Sequence, residues 1–128
     1  MNLFRNVLIV WLIMFGVKSY SHEMTPAYVR FEPTTEQNIL QIKLEMFNRR
    51  KDVEYYQFYV HDEQWNKIAF AMPERIVRLK YLERKKFTVY IRRNDLNSVV
   101  YVCSVSKLKK GEFKHTIVES RVCSKMRN

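Results

Sequence analysis

Glycine is nearly absent from this 128-residue chain. Only Gly16 and Gly111 occur, where an average usage of about 7% would give roughly nine. Phosphate-cradling loops, dinucleotide-binding turns and nucleophile elbows need glycines where the backbone approaches a ligand or takes a positive φ. Because the two glycines lie far apart, the sequence excludes nucleotide-binding and hydrolase sites of these kinds.

The chain also lacks the side-chain groupings that catalysis and metal binding require. Its aspartates fall in predicted turns, and no Ser-His or Cys-His pair has the surroundings of a nucleophile and its base. His22, His61 and His115 are scattered, without the short spacing to a cysteine that zinc sites show. Zinc-finger, helix-turn-helix and RNA-binding aromatic motifs are missing as well. We predict a protein that is not an enzyme, needs no cofactor or metal, and recognises no specific nucleic acid.

The sequence has one long apolar run, Val7 to Val17. It has 11 residues, whereas a membrane-spanning helix needs about 20. Arg5 precedes the run, and Ser19-Tyr20-Ser21 follows it with a small-x-small cleavage pattern. The pattern predicts a signal peptide over residues 1–21 and an exported domain over residues 22–128, periplasmic or extracellular after cleavage.

Cysteine is limited to Cys103 and Cys123. An exported chain meets an oxidising compartment, so one disulfide is expected, and loop closure over 20 residues would contribute about 3 kcal/mol of stability. The bond requires a hairpin centred near Phe113, because a tight turn at Lys110-Gly111 would offset the two sulfur atoms. Two unpaired buried thiols remain the alternative, since cysteine also packs as a small hydrophobe.

Alternating apolar and polar residues dominate the rest of the sequence, and this period of two is typical of half-buried strands. The turn signals between the runs fall at short spacing. We therefore predict an all-β, immunoglobulin-like antiparallel β-sandwich of about seven strands. The predicted strands, A to G, are Ala27–Glu32, Leu40–Phe47, Tyr56–Val60, Lys67–Lys80 with a break at Met72-Pro73, Phe87–Ile91, Val99–Ser106 and Phe113–Val122.

Five segments suggest a family: Phe58–Ile68, Met72-Pro73, Ile76–Leu79, Lys86–Ile91 and Val99–Cys103. Their order, with a proline before a strand, resembles the N-terminal immunoglobulin-like domain of the periplasmic pilus chaperones of the chaperone–usher pathway. The resemblance covers nearly all of the predicted mature chain at low identity. Family members carry a second sandwich domain after strand G. The resemblance covers only the first of these domains, and the expectation is therefore a single-domain relative of the family.

The resemblance implies a function in protein binding. Members of the family donate the edge of strand G to a client, and they anchor its terminal carboxylate with an arginine near strand A and a lysine on strand G. Some carry a disulfide between strands F and G, which Cys103 and Cys123 would match. Arg30 resembles the anchoring arginine, and Arg121 is the basic residue nearest the expected lysine. The expected partner-binding residues, for a protein partner or a homodimer, are Arg30, Phe113, His115, Ile117, Val118 and Arg121.

Positive charge suggests a second function. Removal of Arg5 and Lys18 with the signal peptide would leave 21 basic residues against 13 acidic ones, a net charge of +8. Three basic runs fall in predicted connections B–C, D–E and F–G, which emerge at one end of the sandwich if Lys67–Lys80 counts as one strand. They predict a basic pole for an anionic lipid headgroup, polysaccharide or nucleic acid, as in an adhesin-like surface or virion module. Solvated turns are the alternative interpretation. The runs are Arg49, Arg50 and Lys51; Arg84, Lys85 and Lys86; and Lys107, Lys109 and Lys110.

Overall fold

Two β-sheets face each other in the computed structural model, which describes residues 2–3, 21–107 and 119–127. The first sheet contains β1 (Glu23–Thr25), β3 (Glu32–Pro33), β4 (Ile39–Phe47) and β8 (Arg84–Arg92). The second contains β2 (Tyr28–Val29), β5 (Tyr55–His61), β6 (Lys67–Ile68), β7 (Ile76–Arg78), β9 (Tyr101–Lys107) and β10 (Arg121–Met126). The predicted all-β sandwich is confirmed, with one parallel pair, β2 beside β10.

Helical structure plays a small part in the described residues. A short 3-10 helix over Arg93–Asp95 connects β8 to the chain that enters β9. None of the described helical residues forms a segment long and apolar enough to cross a membrane. Residues 4–20 of the predicted signal peptide lie outside the described ranges, so the signal peptide stays a prediction.

The core follows from the alternation in the sequence. Strands β4 and β8 pair over nine residues each, and every second side chain of β4 is buried: Leu40, Ile42, Leu44 and Met46. On the opposite sheet, Tyr56, Phe58 and Val60 of β5 point into the same core. Because strand side chains alternate between the two faces, these rows meet between the sheets.

The predicted strand D is divided in the structure. β6 and β7 both pair with β5 in the antiparallel sense, and between them Ala71 bridges Tyr90 of the other sheet. Because β6 and β7 run in the same direction, the break does not reverse the later strands. The predicted strand E was too short: β8 begins at Arg84, so the basic run from Arg84 to Lys86 lies in a strand and not in a connection.

The predicted strand A is also wrong as a single element. β1 pairs with β4, then the chain crosses to the second sheet, where β2 pairs with β10, and β3 returns to β4. The crossing follows Thr25, at Pro26. Proline has no N–H to give to a strand ladder, which explains why the pairing with β4 stops there.

The two cysteines are joined in a disulfide, with Cys103 directly opposite Cys123 in the β9–β10 register. Of the two registers that the sequence left open, this is the one that the disulfide required. The last strand, however, begins at Arg121 and continues to Met126, beyond the predicted end at Val122. Six of the predicted site residues lie outside the described ranges and stay predictions: Phe113, His115, Ile117, Val118, Lys109 and Lys110.

We expect the chain, purified without reductant and then denatured, to show no free thiol by titration. The double variant Cys103→Ser/Cys123→Ser should fold with about 3 kcal/mol less free energy of unfolding, because its unfolded ensemble is less constrained. Urea unfolding of both proteins measures the difference. Two reactive thiols per chain would contradict the pairing.

Candidate functional site

One side of β10 faces β9. Ser106 N–H donates to the carbonyl of Ser120 (2.9 Å), and Met126 N–H donates to the carbonyl of Val100 (2.8 Å). Backbone groups of successive strand residues point to opposite sides. The even-numbered residues of β10 therefore have their N–H and C=O groups directed at β9.

The other side of β10 faces β2, but only over its last residues. Lys125 N–H donates to the carbonyl of Ala27 (2.8 Å), and Arg127 N–H donates to the carbonyl of Val29 (2.7 Å). The chain that precedes Ala27 turns away at Pro26 to form β1 in the other sheet. β2 therefore covers the second half of β10 and leaves its first half uncovered.

Arg121 and Cys123 are the odd-numbered residues in this uncovered half. Their N–H and C=O groups point away from β9, and no residue in the described ranges forms a hydrogen bond with them. We call the segment Arg121–Cys123 the open edge. It presents two outward-facing residues at the spacing of a strand ladder, which is the arrangement that an added strand can pair with.

Aromatic side chains lie beside the open edge on the outer face of the second sheet. Trp65 stacks on Tyr101 of β9, with ring centroids 4.1 Å apart and an interplanar angle of 5°. The Arg121 guanidinium lies 5.7 Å from the centroid of the Trp65 ring. Trp65 remains 45% exposed. Sequence reasoning missed this residue, because its position in the connection between β5 and β6 does not indicate over which strand it folds.

A short turn holds Trp65 in place. Trp65 N–H donates to the carbonyl of Asp62 (3.1 Å), and the Asp62 carboxylate accepts the backbone N–H of Asn66 (2.8 Å). Trp65 has a φ of 66°, a left-handed conformation that is uncommon outside glycine. Local hydrogen bonds of Asp62 therefore fix the ring beside β10.

Behind the open edge, His22 is buried between the sheets. Its Nε2 lies 2.7 Å from Ser104 Oγ and its Nδ1 lies 3.2 Å from Ser120 Oγ, while its ring packs 4.5 Å from that of Tyr56. Burial, with a smaller contribution from the positive charge of Arg50, lowers the pKa of His22 to about 4 against a partial opposing effect of the Ser104 contact. His22 is therefore neutral near pH 7, and it fixes the residue that precedes the open edge.

Arg50 occupies the same interior region. Its guanidinium donates to both carboxylate oxygens of Asp52, from Nε (2.9 Å) and from Nη2 (2.6 Å), and Nη1 donates to Ser120 Oγ (3.2 Å). The hydrogen bonds from Arg50 hold the pKa of the Asp52 carboxyl below its usual value. The prediction that Arg50 belongs to an anion-binding pole is wrong, because a buried guanidinium needs a paired carboxylate and already has one.

Asn48 connects this cluster to the loop between β4 and β5. Its side-chain Nδ2 donates to the carbonyls of Val53 and Leu79 (2.8 Å each). Its Oδ1 accepts the Tyr56 hydroxyl (2.6 Å) and the Arg50 backbone N–H (2.8 Å). Burial raises the pKa of Tyr56, so the hydroxyl remains a hydrogen-bond donor at all ordinary pH values. The loop is therefore fixed to the sheet by an interior amide.

The structure does not bring Arg30 and Arg121 together. Arg30 is exposed in the connection between β2 and β3. The parallel register, Tyr28 opposite Lys125, places Arg30 beyond the last residue of β10, roughly 20 Å along the strand from Arg121. The two residues lie at opposite ends of β10, so they do not form a joint carboxylate anchor in this domain.

The described residues of the three basic runs lie at one end of the sandwich. Because Phe47 is opposite Arg84 and Tyr55 is opposite Lys107, the first two runs and Lys107 share this end. Arg49 and Arg84 pair with carboxylates and both lie over the Phe47 ring, 5.6 and 4.6 Å from its centroid. Lys107 lies over the Tyr59 ring. Across the described ranges, no group of three His, Cys, Asp or Glu residues is placed to hold a metal ion.

We expect the domain to lose stability as the pH falls from 6.5 to 4, because the folded pKa of His22, about 4, lies below its unfolded value of 6.5. The contribution of neutral His22 to the free energy of unfolding is fully present above pH 6.5. It is lost as the pH falls, because the unfolded state binds a proton that the folded state does not bind until about pH 4. The free energy of unfolding decreases by about 3 kcal/mol over this range. Urea unfolding of the wild type and of His22→Gln at several pH values measures it. The two free energies should converge by that amount as the pH falls, and a constant difference would contradict the assignment.

Arg50→Ala should lower the free energy of unfolding by about 3 kcal/mol, because it leaves buried hydrogen-bond partners unpaired. The neighbouring Lys51→Ala is the matched control and should change it by less than about 0.5 kcal/mol. Urea unfolding at pH 7 compares the two. Equal effects would mean that Arg50 is as dispensable to the fold as an exposed lysine.

No protein-family model matches the sequence, and no curated protein matches it. Solved structures do match in fold. The domain is similar to the ASH/PapD-like domain 7 of human CEP192, with a TM-score of 0.52 and 11% identity over 87% of this chain and 88% of that one.

Two further structures are similar. The periplasmic chaperone SfaE matches with a TM-score of 0.53 and 13% identity over 84% of this chain, which spans 56% of the length of SfaE. A FixG-related protein from Vibrio parahaemolyticus matches with a TM-score of 0.50 and 15% identity, over 84% of this chain and 96% of that one. The described domain therefore has a PapD-like immunoglobulin fold, as the resemblance to the pilus chaperones implied.

Proposed function

We propose that this protein is an exported interaction module that binds a protein partner by accepting one of the partner's extended segments as a new strand on the open edge of β10. The observation that carries the proposal is the outward direction of the backbone groups of Arg121 and Cys123, which no described residue pairs with. Strand addition at such an edge is a general mode of protein recognition. Export of the mature domain is supported by the disulfide.

The open edge is prepared for pairing before a partner arrives. On one side it is held by the ladder to β9 and by the disulfide between Cys103 and Cys123. Ser120, which precedes it, is fixed by its hydrogen bonds to Ser106 and His22. An edge that is already ordered avoids part of the entropy cost of ordering a strand during association.

Side chains beside the edge favour particular partners. Arg121 extends over Trp65 on the outer face, while Val122 is half-buried and packs against the core on the inner face. An added strand would place alternate side chains along these two faces. We infer that the partner segment presents apolar residues on the inner row and an acidic or aromatic residue near Arg121 and Trp65.

The fold comparison supports a chaperone-like interpretation of this binding. SfaE, which is described as a periplasmic chaperone, shares the fold. The PapD-like domain of CEP192 shares it as well. A partner whose own sheet lacks a strand would gain the most from an edge of this kind, since its unpaired backbone groups would be satisfied by β10.

The proposed edge is tested at Arg121 by separating the backbone N–H from the side chain. Arg121→Pro removes the N–H, whereas Arg121→Ala keeps it and removes the guanidinium. The partner is first identified in the source organism by photo-crosslinking from position Lys125, with position Glu74 as a distant control, and is then purified. A second copy of the chain is tested in the same way by sedimentation at rising concentration.

We expect Arg121→Pro to weaken binding of the purified partner by at least about tenfold, and Arg121→Ala to weaken it less, because one ladder hydrogen bond and the fit of the added strand are lost only with proline. Calorimetric titration measures both affinities. Both variants should keep the urea midpoint of the wild type, since this N–H bonds to no described residue. If Arg121→Pro unfolds the domain, or if the two variants bind equally well, the proposed edge is wrong.

A further inference from the structure

Two apolar side chains protrude from the turn between β7 and β8. Tyr81 and Leu82 are 44% and 56% exposed. Leu82 has a φ of 62°, in the left-handed region that leucine rarely adopts. The conformation is maintained by hydrogen bonds, because Leu82 N–H donates to the carbonyl of Asn48 (2.7 Å) and Asn48 N–H donates to the carbonyl of Glu83 (3.1 Å). Since Asn48 is fully buried, the turn is a firmly held projection.

Three lysines without an ion pair among the described residues lie in, against or shortly after this turn, which we call the apolar tip (residues 80–83). Lys51 lies over the Tyr81 ring, 5.3 Å from its centroid, and Lys80 and Lys86 are exposed nearby in the sequence and in β8. Within the described part of the chain, none of these three lysines forms an ion pair. They give the tip a positive surface that the neighbouring carboxylates do not neutralise.

Most other bases at this end are paired. Ion pairs among the described residues join Arg49 to Glu23, Arg50 to Asp52, Arg78 to Glu54, Arg84 to Glu45 and Lys85 to Glu83. Lys107, at the same end, lies over the Tyr59 ring and forms no ion pair with a described residue. Of the unpaired lysines, Lys51 contacts the tip, Lys80 lies in it, and Lys86 follows Leu82 by four residues in β8.

We propose that the apolar tip docks on an anionic lipid bilayer, with Tyr81 and Leu82 entering the interfacial layer and the three lysines contacting lipid phosphates. Amphipathic aromatic rings such as tyrosine are favoured at the level of the headgroups. Lysines near an anionic surface each strengthen binding by about fivefold. A soluble polyanion would use the lysines but would gain nothing from the exposed leucine, whereas a bilayer uses both.

This proposal is independent of the partner-binding edge and does not require Arg50. It differs from the basic pole expected from the sequence in two respects. The pole now excludes the buried Arg50, and its centre is an apolar turn that the sequence did not mark. The ligand class also becomes specific, because projecting apolar side chains beside unpaired lysines match a charged surface with an apolar interior.

The test measures sedimentation of the purified chain with two vesicle compositions, phosphatidylcholine alone and equal parts of phosphatidylcholine and phosphatidylglycerol. Leu82→Asn removes the apolar side chain and keeps a residue that tolerates the left-handed backbone. Tyr81→Ser is a second apolar variant. Lys51→Gln/Lys80→Gln tests the charge. The matched controls are Ile76→Asn, another exposed apolar residue, and Lys125→Gln, an exposed lysine on β10.

We expect binding to the anionic vesicles and little binding to the neutral ones. Leu82→Asn should lower the partition coefficient by about tenfold, because the leucine side chain is no longer there to enter the bilayer interface. The double lysine variant should lower it by about tenfold or more, with a reduced dependence on salt. The two controls should stay within about twofold of the wild type.

Three results would overturn the proposal. The first is no binding to anionic vesicles. The second is binding that falls in the lysine variant but is unchanged in both Leu82→Asn and Tyr81→Ser, which would mean that the protein adsorbs to the anionic surface by charge alone. The third is an equal loss in Ile76→Asn, which would place the contact elsewhere. Thermal unfolding of each variant confirms that the fold is retained, and if Leu82→Asn is unstable, Tyr81→Ser decides the apolar contribution.

Discussion

One stretch of chain, residues 23–33, pairs with the edges of both sheets. β1 and β3 pair with β4, and between them β2 pairs with β10 in the opposite sheet. Since the backbone cannot hydrogen-bond to both sheets at the same position, each sheet is covered over only part of its edge. Among the described residues, none pairs with the outward side of β10 over Arg121–Cys123, because the chain leaves for β1 at Pro26. The position of the candidate binding edge therefore follows from where the crossing occurs.

The buried polar residues His22, Asn48 and Arg50 form an interior cluster that explains why the open edge is well ordered. His22 and Arg50 both bond to Ser120, immediately before the open edge, and Asn48 fixes the loop that carries Arg50. Asn48 also holds the apolar tip through its backbone carbonyl. A single interior cluster thus supports two surface features, the open edge and the tip. It also shows why a positively charged residue in a basic run can be structural: Arg50 is internal, whereas Lys51 is exposed.

Much of the fold could be predicted from the sequence, because strands of five or more residues carry a visible period of two. β4, β5 and the second half of β8 follow from such patterns, and β9 follows from its β-branched and aromatic residues. The register that joins Cys103 to Cys123 was open in the sequence, because periodicity does not fix where a hairpin turns. The division of the first strand could not be predicted, since β1, β2 and β3 have two or three residues each and no periodicity survives at that length. The sequence also could not separate Arg50 from Arg49, or assign Trp65 to its place beside β10, because both depend on contacts between distant segments.

Amide hydrogen exchange of the isolated chain tests the open edge most directly. The N–H groups of Arg121 and Cys123 point away from β9 and bond to no residue in the described ranges, while those of Val122 and Lys125 are directed at β9 and β2. We expect Arg121 and Cys123 to exchange at nearly the rate of an unstructured peptide, and Val122 and Lys125 to exchange at least about a hundredfold more slowly. Equal protection of all four amides would mean that β10 is already paired along its whole length, and that it offers no edge to a partner.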